Sequence, residues 1–150
     1  YTKSGELFRC PSFCPPKDAQ GNTNKWGRPY TGYAYNTTYI GAEYLGWGAT
    51  KTLVHRSCLI GEIAQPSRTA VFADAGFGSP VNPHNYLRAP SDKTAGTYRV
   101  ATVHFRHGGS ANVAYADGSV RPVSTKHKYD ADYAPECGML SDDDSAYDLK

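Results

Sequence analysis

With 150 residues the chain is sized for one domain, and it contains no apolar run near the ~18 residues of a membrane span and no visible signal peptide. Leu, Ile, Val and Phe number 23 of 150, below the roughly 20% at which a well-filled core becomes doubtful, yet the net charge is only +2, which argues against disorder. The expectation is a folded domain with a thin aliphatic core, supplemented by twelve Tyr and two Trp; it is either soluble or has its leader and anchor outside the sequence given, and the thin core favours the second.

Residues 1–25 read as irregular. Cys10-Pro11 and Cys14-Pro15-Pro16 disfavour helix before each proline, and Asp18 to Asn24 is turn-forming. From Trp26 to Trp47 the chain is aromatic, and Tyr33, Tyr35, Thr37 and Tyr39 alternate as a strand does until Gly41, Gly46 and Gly48 break the pattern. Tyrosine there fills a half-buried sheet where aliphatic residues are short. The alternative is the sugar-stacking platform of a secreted carbohydrate-binding module, built on residues 26–47 with Trp26 and Trp47. Leu53, Val54, Ser57, Cys58, Ile60 and Ile63 fall at helical spacing and predict one short helix over about 52–63. Gln65-Pro66-Ser67 is a turn, and Arg68 to Asp74 is a buried strand centred on Val71 and Phe72. Residues 76–96 keep no periodicity and predict a long surface insertion facing another subunit.

Arg99 to Ser124 predicts a three-stranded antiparallel meander. Asp117-Gly118, between short alternating runs, predicts a two-residue type I′ turn. Gly108-Gly109-Ser110 as a three-residue loop sets Phe105 opposite Val113, whereas a two-residue loop mixes the faces, so the longer loop is preferred. Ala101, Val103, Phe105, Ala111, Val113, Tyr115 and Val120 then share the core face. Pro122 cannot donate to a ladder, which sets the third strand at an edge or turns its nitrogen outward.

Charge divides the chain. Residues 1–129 carry a net +8 and residues 130–150 a net −6, which predicts a globular β domain over 1–129 and an acidic tail over 130–150. The tail is solvated or, in a sharper version, docks on the basic body of a neighbouring copy as a head-to-tail contact. The basic residues are scattered singly and form no nucleic-acid motif. Cys10, Cys14, Cys58 and Cys137 suit an exported, oxidised protein with two disulfides, the three pairings being open. Zinc is the rival use, through Cys10-x3-Cys14, but no second close pair follows.

No catalytic constellation assembles from the spacing. His107 and Asp117 sit at opposite ends of the middle strand, about 20 Å apart at ~3.3 Å per residue, so each is expected to satisfy backbone groups at its own turn. His104 and His107 point to opposite faces of a strand. Ser67 and Ser110 lie in no nucleophile elbow, and no Gly-rich loop cradles phosphate. Asn36-Thr37-Thr38 makes Asn36 a glycosylation candidate. Asp142, Asp143, Asp144 and Asp148 are weak calcium candidates, without the spacing of an EF-hand.

His107, nine residues, then Asp117-Gly118 resembles the C-terminal signature of bacterial prepilin-like proteins with an H-x9-DG motif, relatives of type IV pilins and type II secretion pseudopilins. Three further pieces agree in order: Phe8-Arg9-Cys10-Pro11-Ser12, Gly32-Tyr33-Ala34-Tyr35-Asn36, and Pro66-Ser67-Arg68-Thr69-Ala70-Val71-Phe72-Ala73-Asp74. The likeness covers about residues 7–125 and is poor from about 76 to 97. It implies a pilin-like head domain, α+β but mostly β, whose antiparallel sheet packs on an apolar N-terminal helix. It further implies a structural, non-enzymatic subunit at the bacterial surface or outside the cell. Its partners are other copies of itself in a helical homo-oligomer, and it meets a membrane only through that N-terminal segment. On this resemblance His107, Gly108, Gly109, Asp117 and Gly118 are structural motif residues, no cofactor is expected, and calcium is the one ion some relatives bind.

Overall fold

The computed structural model describes residues 9–17, 20–21, 32–41, 43–45, 52–92, 101–127 and 134–150, with the backbone alone for 43–45 and 52–55. The fold is mostly β. Strands β1 (Tyr33–Asn36), β2 (Glu43–Leu45), β3 (Thr52–His55), β4 (Ala70–Asp74), β5 (Tyr86–Leu87), β6 (Val103–His104), β7 (Ala111–Tyr115), β8 (Val120–Val123) and β9 (Cys137–Gly138) follow one another in the chain. Five of them form one sheet in the order β5-β1-β4-β7-β8, and β2–β3 and β6–β9 form two small ribbons. The large sheet is mixed rather than antiparallel throughout, because β5 runs parallel to β1. β8 is an edge strand, one of the two placements Pro122 allows.

Pairing settles which side chains share a face. Tyr86, Tyr35, Phe72, Ala114 and Val120 are successive partners across all five strands. Paired residues project to the same side, so these five make one transverse row. Leu87, Asn36, Ala34, Ala73, Val113 and Ala111 lie on the other side and are all buried. That closed side is the core. It is rich in alanine, which lets segments approach closely, and among the described residues its largest fully buried side chain is Tyr147. Of the expected buried centre, Phe72 is 45% exposed on the open side and Val71 is half-buried, at a bulge between Ala70 and Phe72.

The expected meander is corrected in two ways. The turns have exchanged lengths: His107 pairs with Ser110 around Gly108 and Gly109, at φ 61° and 85°, which is a two-residue type I′ loop. At the other end Tyr115 N–H bonds Ser119 O and Gly118 N–H bonds Tyr115 O, with only Gly118 at positive φ. That is a three-residue loop closed by a glycine bulge. The register therefore slides by one: Val113 faces Arg121, Ala114 faces Val120, and Val120 is 66% exposed instead of in the core. β6, for its part, does not pair with β7. Val103 pairs with Gly138 and bridges to Ala75, and Phe105 N–H bonds Glu136 O.

Other expectations also shift. Residues 52–63 form no α-helix; the chain is strand β3, then extended, then one 3-10 turn at Ile60–Glu62. Leu59 and Ile60 are exposed and Ile63 is buried, so among the residues whose side chains are described the helical spacing does not form an apolar stripe. The described part of the 76–96 segment is not a structureless insertion. It carries β5, buries Leu87 and Ala89, and holds a buried Arg88–Asp92 pair at 3.0 Å. The described part of the acidic segment, 134–150, does not trail from the body. Tyr147 and Leu140 belong to the core, Tyr147 O accepts from Asn36 Nδ2 at 2.8 Å, Asp148 O accepts from Thr69 Oγ1 at 2.8 Å, and Leu149 O accepts from Ala64 N–H at 2.7 Å.

Candidate functional site

At its C-terminal end β4 places Asp74 between Tyr33 of β1 and Asn112 of β7, on the open side of the sheet. A bare carboxylate there would be costly to bury, yet Asp74 is fully buried. Three segments cover it. Asn112 N–H donates to Oδ2 at 2.7 Å, His107 Nε2 lies 3.1 Å from the same oxygen, and Arg106 Nη2 donates to Oδ1 at 2.6 Å. Arg106, 4% exposed at its side chain, also donates to Ala75 O at 3.1 Å and to Gly32 O. Its guanidinium stacks 4.8 Å over the Phe13 ring. Cys10 closes the top, 3% exposed, with Sγ 3.7 Å from His107 Nε2. Gly32 is required beneath it, since a Cβ there would fall 2.8 Å from Cys10 Cβ.

Electrostatics follow from burial. His104 edges onto Phe13, and its Nδ1 faces Arg106 Nη1 at 3.2 Å. Desolvation, then the Arg106 charge, push its pKa down to about 4, so it is neutral at pH 7. The Tyr33 hydroxyl hydrogen-bonds Cys10, and its pKa is raised by burial and then by the Cys10 and Asp74 charges. Cys137 sits elsewhere, donating to Gly76 O at 3.4 Å, and burial pushes its thiol up to about 12.

A cysteine, a histidine and an aspartate in contact invite comparison with a nucleophile–base–orienter relay. In such a relay the orienter holds one ring nitrogen and the nucleophile meets the other. Here Cys10 and Asp74 both approach Nε2. The arrangement is not a relay, and what it does is tie segments together: Cys10, Gly32, Asp74, Arg106 and His107, from separate stretches of the chain, meet at this one knot.

The site residues singled out in the sequence fare differently. His107 turns to Asp74 and Cys10 rather than to its own turn, because a buried carboxylate offers a stronger acceptor than an exposed carbonyl. Asp117 does serve its own turn, accepting from Ser119 N–H at 2.9 Å and Oγ at 2.7 Å. Gly108, Gly109 and Gly118 supply the positive φ angles. Asn36, the glycosylation candidate, is buried, and its amide nitrogen is used by Ala70 O and Tyr147 O, so no acceptor is presented by the folded chain.

All four cysteines are free thiols, so the two expected disulfides are absent; Cys10 is occupied at the knot and Cys137 is sealed beside Gly76. The calcium candidates diverge. Asp142 pairs with His127 at 2.8 Å, Asp143 caps the turn at Ser145, Asp144 takes Tyr39 and Ser91, and Asp148 accepts from Lys150 N–H at 3.3 Å. In the aromatic stretch Trp26, Tyr30 and Trp47 lie outside the described residues. Tyr33 turns to Cys10, Tyr35 packs on Phe72 with centroids 5.0 Å apart, and Tyr39 bonds Asp144, so these three build no common platform.

Sequence reasoning gave Asp74 and Arg106 no role. Their signal was present: a single carboxylate closing the apolar run Ala70-Val71-Phe72-Ala73, and a single guanidinium between Phe105 and His107. Buried charges of this kind need each other. Comparison with protein-family models, with curated proteins and with solved structures finds no match to the chain.

Proposed function

We propose that this chain is the globular head of a pilin-like structural subunit, one that assembles with copies of itself into an extracellular filament or pseudopilus of a bacterium and performs no catalysis. The observation that carries the proposal is the row Tyr86–Tyr35–Phe72–Ala114–Val120, which crosses the whole sheet on its open side and leaves Phe72, Val120 and Tyr86 45%, 66% and 39% exposed. A sheet buries an apolar face against a second layer, and a contiguous exposed apolar strip marks an interaction surface. An apolar helix laid along this side is the layer that the resemblance to prepilin-like proteins supplies. Cys10 lies beside Asp74 and His107 at the margin of the same side. Cys10, Gly32, Asp74 and His107, one from each of the four stretches that carry the resemblance, meet in one knot, which gives these residues a shared structural reason.

Electron microscopy of the native protein tests the proposal. Filaments or pseudopili containing this chain are expected, and a Phe72→Asp, Val120→Asp variant should lose them while its head domain keeps its melting temperature. Native particles that stay monomeric under every condition would overturn it. Binding of glycans on an array, abolished by substitutions in 26–47, would favour the carbohydrate-binding alternative instead.

A further inference from the structure

The knot brings together three donor atoms of different chemistry: Cys10 Sγ, His107 Nε2 and a carboxylate oxygen of Asp74, all within 4.8 Å of one another. The Sγ···Nε2 distance is 3.7 Å and Nε2···Oδ2 is 3.1 Å. Two ligands on a tetrahedral zinc, at about 2.3 Å for sulfur and about 2.0–2.1 Å for nitrogen, stand roughly 3.6 Å apart. A carboxylate oxygen and a nitrogen stand about 3.3 Å apart by the same geometry. The three side chains already have the spacing of a metal's ligand set.

Proton chemistry leaves this arrangement underused. A hydrogen on His107 Nε2 serves Asp74, and nothing then bonds Cys10 through that nitrogen. Moving the hydrogen to Nδ1 frees Nε2 for the thiol but turns its lone pair on a carboxylate oxygen 3.1 Å away. One divalent cation satisfies all three donors at once.

We infer that Cys10, Asp74 and His107 form a site for a zinc-class divalent cation, with a fourth position open to water or to the neighbouring Tyr33 hydroxyl. A thiolate with an imidazole selects zinc over calcium or magnesium, which take oxygen ligands. The supporting shell is in place: Arg106 holds the far oxygen Oδ1, and Asn112 N–H fixes Oδ2. His107, 28% exposed at its side chain, gives the ion its way in past the Gly108–Gly109 turn. On binding, Cys10 loses its thiol proton to solvent while the imidazole hydrogen shifts from Nε2 to Nδ1, so one proton is released per ion. The inference stands apart from filament assembly, since it concerns only the interior of one head domain.

The test adds zinc or cobalt alone to the full chain under reducing conditions. One zinc ion per chain is expected by equilibrium dialysis, and cobalt should give a thiolate-to-metal charge-transfer band with the visible absorption of a four-coordinate site. Cys10→Ser should abolish the band, and His107→Gln should weaken affinity by at least roughly tenfold, while Cys14→Ser and Cys58→Ser leave both unchanged. Should Cys10→Ser or His107→Gln fail to fold, the double variant Cys14→Ser, Cys58→Ser decides: its band must persist. Failure of the wild-type chain to bind either metal overturns the inference, as does binding that Cys10→Ser leaves intact or a band that disappears with Cys14 and Cys58.

Discussion

The two sides of the five-stranded sheet solve the same problem differently. On the closed side small residues, Ala34, Ala73 and Ala111, bring the C-terminal segment down onto the strands, and Tyr147 fills the space that aliphatic side chains would occupy elsewhere. Its hydroxyl accepts from Leu140 N–H at 2.8 Å, so the ring is both filler and clamp. The open side is split. One end is sealed by charge, with Asp74, Arg106 and His107 stacked under Cys10, and the middle carries the exposed row through Phe72. A sheet short of aliphatic residues is thus closed once by its own chain, closed in part by ions, and left apolar along one strip.

Breaking the ionic end should have the largest effect. Asp74→Asn leaves the buried Arg106 without its counter-charge, and such losses cost about 3–5 kcal/mol. Urea unfolding at pH 7 is the measurement, and a loss below about 1 kcal/mol would mean that water replaces the carboxylate and the knot is not sealed.

Acid attacks the same end through His104. Its folded pKa, about 4, lies below the ordinary histidine value near 6.5, because it is desolvated and faces Arg106, with Glu136 and Asp74 opposing and His107 adding to the shift. The unfolded chain therefore binds the extra proton first. The stability tied to His104 is full above about pH 6.5 and is lost as pH falls toward 4, an amount on the order of 2–3 kcal/mol. A His104→Gln chain should show a flatter dependence of unfolding free energy on pH between 7 and 4. Identical slopes for the two chains would remove His104 from the account.

The closed side is sharpened by paired substitutions. Tyr147→Phe strands the Leu140 N–H inside the core and should cost about 1–3 kcal/mol. Phe72→Leu, on the open side, should stay within about 0.5 kcal/mol. Equal effects at the two positions would mean that the sides are not distinct in the isolated head.

Much of the strand content was legible because it rests on local signals. The alternation through Tyr33 and Tyr35, the apolar run ending at Asp74, and Asp117-Gly118 each mark an element that exists. The knot was legible only as separate pieces, since its residues come from four stretches and no periodicity links Cys10 to His107, 97 positions on. The acidic segment misled for a related reason. Composition counts charges over 130–150, but Asp144 is held by Tyr39 and Ser91 and the fate of the segment turns on Tyr147, one uncharged ring with no pattern around it. Leu59 and Ile60 misled in the opposite direction, as apolar residues at helical spacing that stay exposed.

The last effect concerns the turn that decides where Val120 points. The length of this loop could not be read from the apolar pattern because both candidate registers kept Ala111 and Val113 inside, and the choice fell to backbone geometry. Gly118, at φ 85° with nothing within 4 Å of where a Cβ would stand, closes the three-residue loop. Gly118→Ala therefore clashes with no neighbour and carries only the left-handed penalty, roughly 1–2 kcal/mol. Gly118→Asn, which tolerates that region, should cost less. If both variants keep their register, amide exchange at Val120 and Arg121 stays at wild-type rates. A chain that instead slides its register by one would turn Val120 toward the closed side, and a new contact between Val120 and Tyr115 in the Gly118→Ala spectrum would reveal it.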